Sequence, residues 1–436
     1  MAIDRTSDQF LLDAYTGKGG FANGEYLLPH PRETPKKLAL RKQLAVYPNY
    51  VRKITDVYMG FLWKQAPSRE VDDLYSQFMA NADGAGSSLD RVLFTYQRLA
   101  MILGTVYVIV DKAAIDAQTR AQESLPYLAL RLPDQLVAEE KDGTGSWLSV
   151  TFAEKRGKDQ VFRTFTRDGW VLSEKNDGSG VIDSGVYSFG MVPVVPLHSA
   201  QPLNPTDSRA SSFAYDLANL NWDLYNARSE LRELFRAQTF AILTLPVNDD
   251  REREALKDLT ISTENALTYN PTGGGRPEYI APPPDPIQLY EESIARTVEN
   301  IYKVANLEFV GGVQQSGVAL SFHFQEANST LRGIAERCEQ AENHIARLVA
   351  AWMGREFNGH IAYATDFNIS DLKEEIAVAM DSVNLNMGAE FDRAIKKRLA
   401  RKILANDTAP SVMNAIDDEI DAAGDTYGDR LQQQVG

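Results

Sequence analysis

One cysteine, five histidines and fewer basic than acidic residues are spread over 436 positions, and each shortage removes a class of function. With Cys338 alone, no disulfide can form within the chain and no cysteine-based metal site can be built; its place in a helical pattern reads as a small buried apolar residue. His323 and Glu326, three apart, read as an ordinary helix surface, so no metal is assigned and no cofactor is expected. No stretch approaches the roughly 18 consecutive apolar residues of a membrane span. The opening "MAIDRTSDQF" lacks the basic-then-apolar order of a signal peptide, and the expectation is a chain that stays in the cytoplasm of the cell making it. There is no GxxxxGK[ST], GxSxG, HExxH or CxxC, and "GGGRP" has neither the lysine nor the strand-to-helix context of a phosphate loop. The reading is therefore not an enzyme. Carboxylate pairs of the glycosidase kind need only proximity in space, so a cytoplasmic α+β enzyme without a linear motif stays open as the alternative. The 45 basic and 60 acidic residues leave a net charge of -15, the wrong sign for gripping a phosphate backbone over a broad surface. That balance suits a protein that lets DNA pass without sticking, and equally an ordinary cytoplasmic enzyme.

What is present is a chain with 44% hydrophobic residues, enough to bury a sizeable core in two or more domains. The first half is mixed. After the turn-rich "TGKGGFANGEYLLPHPRETP", helices are predicted around "VRKITDVYMGFLW" and "LDRVLFTYQRLAMILG", the second leading into "TVYVIVDK", a β-branched run suited to a buried strand. Further strands are predicted at "PYLALRL", "WLSVTFAEK", "VFRTFTRDGWVLSE", with Asp168-Gly169 as its hairpin turn, and "GVYSFG". Four prolines in "GMVPVVPLHSAQPLNPTDS" exclude a central strand or helix there and mark a boundary.

Beyond it the pattern turns to long helices. Phe213, Leu217, Leu220, Leu224, Ala227, Leu231 and Leu234 form one apolar seam, with Ser211 or Ser212 as N-cap. A small module follows, with strand-like "FAILTLPV", "ALTY" and "PEYIA" around the turn "NPTGGGR". The next helix opens at Asp285-Pro286, with Gln288 completing a near capping box and Ile287, Tyr290, Ile294, Val298, Ile301 and Ala305 on its apolar side. After "NLEFVGGVQQSG" comes the longest seam: Leu320, Phe324, Ala327, Leu331, Ile334, Cys338, Ala341, Ile345, Leu348 and Trp352, roughly 50 Å as one helix. Gly333 inside it predicts a kink or close packing. The chain from Ile369 is again helical, with seam residues Phe391, Ile395, Leu399 and Ile403.

This order of parts resembles the portal proteins of tailed bacteriophages. The phrases "EYLLPHPRET", "YPNYVRKITDVYMGFLWKQAP", "FGMVPVVPL" and "SGVALSFHFQEANSTLRGIAERCEQAENHIARLV" read as those of one branch of that family. The resemblance implies an α+β portal fold: an N-terminal α/β wing over 1–210, stem helices at 211–237 and 286–306, a small α/β clip at 238–285, a tunnel loop at 307–319, a long, kinked wing helix at 320–362, and a helical crown with the C-terminal tail from 363 to 436. It further implies a virion protein at one capsid vertex, assembled in the host cytoplasm as a dodecameric ring. Double-stranded DNA would pass through its channel during packaging and ejection. Terminase, the head–tail adaptor, and the major capsid and scaffolding proteins would be its partners.

Three sets of residues carry the site expectations. Gly311, Gly312, Val313, Gln314, Gln315, Ser316 and Gly317 would form the tunnel loop facing DNA; on composition alone the segment is as well read as a surface connector between helices. Glu292, Arg296, Glu299 and Lys303 share one face of the second stem helix and either line the channel or form ordinary i,i+4 pairs on a solvated face. Asn270, Thr272, Gly273, Gly274, Gly275 and Arg276 would be the clip tip. The cluster Arg393, Lys396, Lys397, Arg398, Arg401 and Lys402 reads first as a solvated helix face, with DNA in the crown as the second reading.

Overall fold

The computed structural model describes residues 3–113, 124–204, 206–239, 242–244, 278–280, 285–307, 317–367, 389–404 and 410–422. Helices begin where the caps demand. α1 (Asp8–Thr16) starts at Ser7, whose side chain accepts from the Phe10 N–H, and stops at Gly17 in the left-handed region. α2 (Pro35–Leu44) has Thr34 as cap and Pro35 in its first turn, and α3 (Tyr50–Leu62) is capped by Asn49, which accepts from Arg52 N–H at 2.8 Å. Val51, Ile54, Tyr58, Met59 and Leu62 give α3 one buried face.

After β1 (Ser68–Glu70) and α4 (Asp73–Ala80), α5 (Leu89–Leu103) passes through Gly104 into β2 (Thr105–Lys112). Gly104 has φ +87°, and a Cβ there would lie 2.2 Å from the Ala210 carbonyl oxygen, so only glycine lets the chain turn at this spot. β2 explains its own unbroken apolar run by being covered on both faces. Val106, Val108 and Val110 lie in the main helical core, while Tyr107 and Ile109 pack with Val150, Phe152 and Phe165 in a second core under a meander. That meander is a five-stranded antiparallel sheet in chain order: β4 (Leu136–Lys141), β5 (Trp147–Arg156), β6 (Asp159–Thr166), β7 (Gly169–Ser173) and β8 (Val181–Val186). β2 itself is the middle of a three-stranded antiparallel sheet between β3 (Pro126–Arg131) and β9 (Val194–His198).

Three expectations for this half need correction. The strand placed at "GVYSFG" starts earlier, at Val181, because Gly169 to Ser173 find their ladder partners in Val181 to Val186. The proline-rich boundary contains β9. It lies at a sheet edge, where Pro196, opposite Tyr107, costs no central ladder bond, and Val194, Val195 and Leu197 are buried. Helix α6 (Tyr215–Thr239) begins beyond Ser211 and Ser212; the Ser212 hydroxyl donates to the Ile102 carbonyl at 2.6 Å and ties the entry of α6 to the end of α5.

α6 is followed by β10 (Ile242–Thr244), which pairs antiparallel with β11 (Glu278–Ile280), and then by α7 (Asp285–Val304), which packs along α6. The long helix α8 (Gly317–Trp352) has 36 residues, and seven residues of the expected seam, Ala327, Leu331, Ile334, Cys338, Ala341, Ile345 and Leu348, are buried; Trp352 is half-buried, and the side chains of Leu320 and Phe324 lie outside the described residues. It runs unbroken through Gly333, where a Cβ would meet nothing within 4 Å, so close packing is not what this glycine serves. The helix ends at Trp352, and β12 (His360–Ala362) returns to pair antiparallel with β1. α9 (Ala389–Leu404) and α10 (Pro410–Ala422) pack against each other.

Candidate functional site

The candidate site is the arm formed by α6 and α7. Its near end is deeply held and its far end is not. On α6 the buried residues run from Leu217 to Ser229, while Leu231 and Leu234 are only half-buried and Phe235 is 44% exposed. On α7 the order reverses, as an antiparallel pair requires: Ile301 and, just past the helix end, Ala305 are buried, Ile294 and Val298 half-buried, and Leu289 is 66% exposed. The Tyr290 hydroxyl joins the two helices by donating to Glu230 at 3.0 Å.

Polar contacts anchor α6 to the body. Asn221, fully buried, accepts from the N–H groups of Tyr50 (2.9 Å) and Val51 (3.3 Å) and donates to the Pro48 carbonyl (2.8 Å), so it satisfies two of the orphan donors at the start of α3. Asn226 accepts from Leu28 N–H, the Trp222 indole donates to the Tyr26 carbonyl and the Tyr225 hydroxyl to that of Phe21; these hold the glycine-rich segment against α6. Arg41, buried, donates to Ser229, Glu33 and the Leu28 carbonyl.

α7 ends in a Schellman turn. Leu307 N–H reaches the Tyr302 carbonyl at 2.9 Å and Asn306 N–H that of Lys303 at 2.9 Å. Asn306, at φ 52°, is the one non-glycine residue with positive φ among the described residues. Leu307, buried, is the last described residue before α8.

Glu292, Arg296, Glu299 and Lys303 are all exposed and share one face of α7 at helical spacing, with signs that alternate along the helix. Glu292 accepts from Gln288 at 3.1 Å. Of the loop residues, Gly317 is the first residue of α8, and Gly311, Gly312, Val313, Gln314, Gln315 and Ser316 lie outside the described residues. So do Asn270, Thr272, Gly273, Gly274, Gly275 and Arg276. In the basic cluster on α9, Arg393 pairs with Glu390 at 2.9 Å and Lys397 with Asp421 of α10 at 2.7 Å, which neutralises part of its charge.

A buried polar cluster was not legible as a unit. Glu342 of α8, at 0% exposure, accepts from Arg69 of β1 (2.6 and 3.1 Å) and from the hydroxyls of Tyr363 (2.7 Å) and Tyr75 (3.4 Å), and Arg69 also reaches Asp90 at 2.7 Å. Desolvation works against the Arg69 cation, but Glu342 outweighs it and holds the guanidinium firmly charged. Burial, reinforced by the Glu342 charge, pushes both tyrosines well above their usual range. These groups bind one another, and the cluster acts as a joint between α8 and the N-terminal half. Burial also lowers His198, 2.9 Å from the Thr105 hydroxyl, and His344, each to about 4; nearby arginines add to both effects. Among the described residues no group of His, Cys, Asp and Glu is arranged to hold a metal ion, and no helix is long and apolar enough to cross a membrane.

The chain thus has an α+β fold whose helical half presents a two-helix arm. Its structure is similar to a chain in the neck of an empty gene transfer agent particle computed with C6 symmetry, at 11% identity and TM-score 0.47, over 89% of this chain and 99% of that one. It is similar to one in the neck of the native particle computed with C12 symmetry, at 11% identity and TM-score 0.43, over 88% and 98%. A chain of the native virion aligns over 94% and 99%, at 12% identity and TM-score 0.39. No family model and no curated protein matches the chain.

Proposed function

We propose that the protein is a portal: a ring, dodecameric in the capsid, through which double-stranded DNA is packaged and ejected at one vertex and to which terminase and then the tail adaptor dock. The observation that carries this reading is the arm. A helix pair anchored at one end, half-wet at the other and closed by an inserted β-pair is poorly satisfied in a lone chain. Phe235, Leu289 and Tyr279 are 44%, 66% and 65% exposed along it, and a neighbouring copy would cover such residues. The contact joins different faces of adjacent copies, a heterologous interface that closes into a ring. The face with Glu292, Arg296, Glu299 and Lys303 then turns to the channel, its alternating signs giving a passing duplex no continuous positive surface to hold it. The tunnel loop at 307–319, with Gly311 to Gly317, would approach the DNA, residues 270–276 would meet the motor, and α9 with α10 would lie on the capsid side.

Mass and shape in solution test this. A portal gives a closed ring many times 48.5 kDa with an axial hole in electron micrographs. A stable monomer or small compact oligomer at micromolar concentration refutes it and favours an enzyme.

A further inference from the structure

The half-buried far end of the arm raises the question of what fixes its direction, and the contacts at its near end converge on one helix. α3 touches both arm helices by directional bonds. Its first turn is held by Asn221 of α6 through the Tyr50 and Val51 N–H groups. Its middle holds the end of α7: the Tyr58 hydroxyl, fully buried, donates to the Ala305 carbonyl at 2.7 Å, and Lys53 Nζ donates to the Tyr302 hydroxyl at 3.0 Å. The Tyr50 ring also meets the Tyr302 ring edge-on at 5.9 Å. Ala305 and Tyr302 belong to the turn that ends α7, so these bonds fix both the axial rotation of that helix and its tilt.

We infer that α3 is the clamp that aims the arm, with Tyr58 and Lys53 as positioning residues that set which way the Glu292–Lys303 face of α7 points. The lever is long. α7 has 20 residues, and at 1.5 Å per residue its length of roughly 30 Å turns a tilt of about 10° at the clamp into about 5 Å at the far end. The Tyr290–Glu230 bond ties the far end of α7 to α6, so such a tilt carries both arm helices together, and both are only half-buried there. What the face is aimed at rests on the channel reading above; that α3 aims it does not.

The test reads geometry, independently of DNA. Spin labels at Gln288→Cys, far out on α7, and Arg156→Cys, on the exposed end of β5, report the arm's direction by pulsed electron resonance. Cys338 is buried and its thiol is pushed up by burial, so it stays unlabelled. Labelled chain is diluted into unlabelled chain so that only distances within one chain are read. In the Tyr58→Phe, Lys53→Met variant, the distance distribution should broaden or shift by several ångströms while circular dichroism and ring mass stay unchanged. Lys53→Met alone, at an exposed position, should give a smaller change in the same direction without risk to folding. Distributions identical to the parent in both variants overturn the clamp. An altered distribution supports it, and packaged genome length in the same variants then reports separately on the channel: normal packaging with a displaced arm leaves the clamp standing and counts against the channel.

Discussion

Removing either partner of the Arg69–Glu342 pair should be more damaging than removing both. Glu342 has no exposure and Arg69 little, and the carboxylate accepts two bonds from the guanidinium and one from each of two tyrosines. In Arg69→Met the carboxylate is stranded with only hydroxyl donors, which puts the cost at the upper end of the range for breaking a buried pair, about 5 kcal/mol. Glu342→Leu should cost less, about 3 kcal/mol, since Arg69 keeps Asp90 at 2.7 Å, a residue whose side chain is 48% exposed and brings water with it. The double variant strands no buried charge, since Asp90, which loses Arg69, has a side chain 48% exposed; what remains is chiefly the loss of a partner for the Tyr75 and Tyr363 hydroxyls, about 1 kcal/mol each. Its net destabilisation is therefore about 2 kcal/mol, below either single change. Urea midpoints followed by tryptophan fluorescence measure this with a reporter at hand, because the Trp63 indole donates to Gln97, which in turn reaches Tyr363. A double variant as unstable as the two single changes summed would show that the pair is not coupled and that Glu342 serves something else.

The histidines set an acid limit: with both folded values near 4 against an ordinary 6.5, the unfolded chain binds the extra protons, so their contribution is complete above about pH 6.5 and lost as pH falls to about 4, roughly 3 kcal/mol for each. His198→Gln should flatten that part of the stability–pH curve, and an unchanged slope would contradict it. Gly104→Ala should destabilise by more than 2 kcal/mol in the same denaturation assay, since φ +87° and the Ala210 carbonyl 2.2 Å from the new Cβ both oppose it; an effect under 0.5 kcal/mol would be inconsistent with that contact. Glu292→Lys with Glu299→Lys turns a face of net charge zero into one of +4 per copy; on the proposed portal reading that charge repeats around the ring and DNA should stall on it, and full-length genomes in variant particles would argue that this face does not meet the duplex. Gln314→Arg with Gln315→Arg should act in the same direction, read in the same way.

What could be read from the sequence was what repeats locally. The β2 run, the α5 helix ahead of it and the seam of α8 each announce themselves within a dozen residues. The arm face was legible too, because i, i+4, i+7 and i+11 spacing fixes a side of a helix without any knowledge of its neighbours. β9 was hidden because prolines argue against a central strand and the pattern cannot say that a strand will lie at an edge. The pairing of β1 with β12 and of Arg69 with Glu342, the latter 273 positions apart, has no local trace at all.

Asn221 and Glu342 nevertheless left a sign. Asn221 stands four after Leu217 and three before Leu224, and Glu342 four after Cys338 and three before Ile345. Each occupies a place where the period of its helix calls for an apolar side chain, and each is fully buried. A polar group at such a place is stable only if bonded, and the groups it faces across the packed side of the helix belong to other elements. Such a residue therefore marks a joint to a distant part of the chain before that part is known. Apolar burial is non-directional, whereas hydrogen bonds weaken steeply with angle, and the shortest at these two positions measure 2.6 to 2.9 Å. The two positions tie down two long helices, α6 at its root in the arm and α8 against the N-terminal half, while the apolar seams supply adhesion.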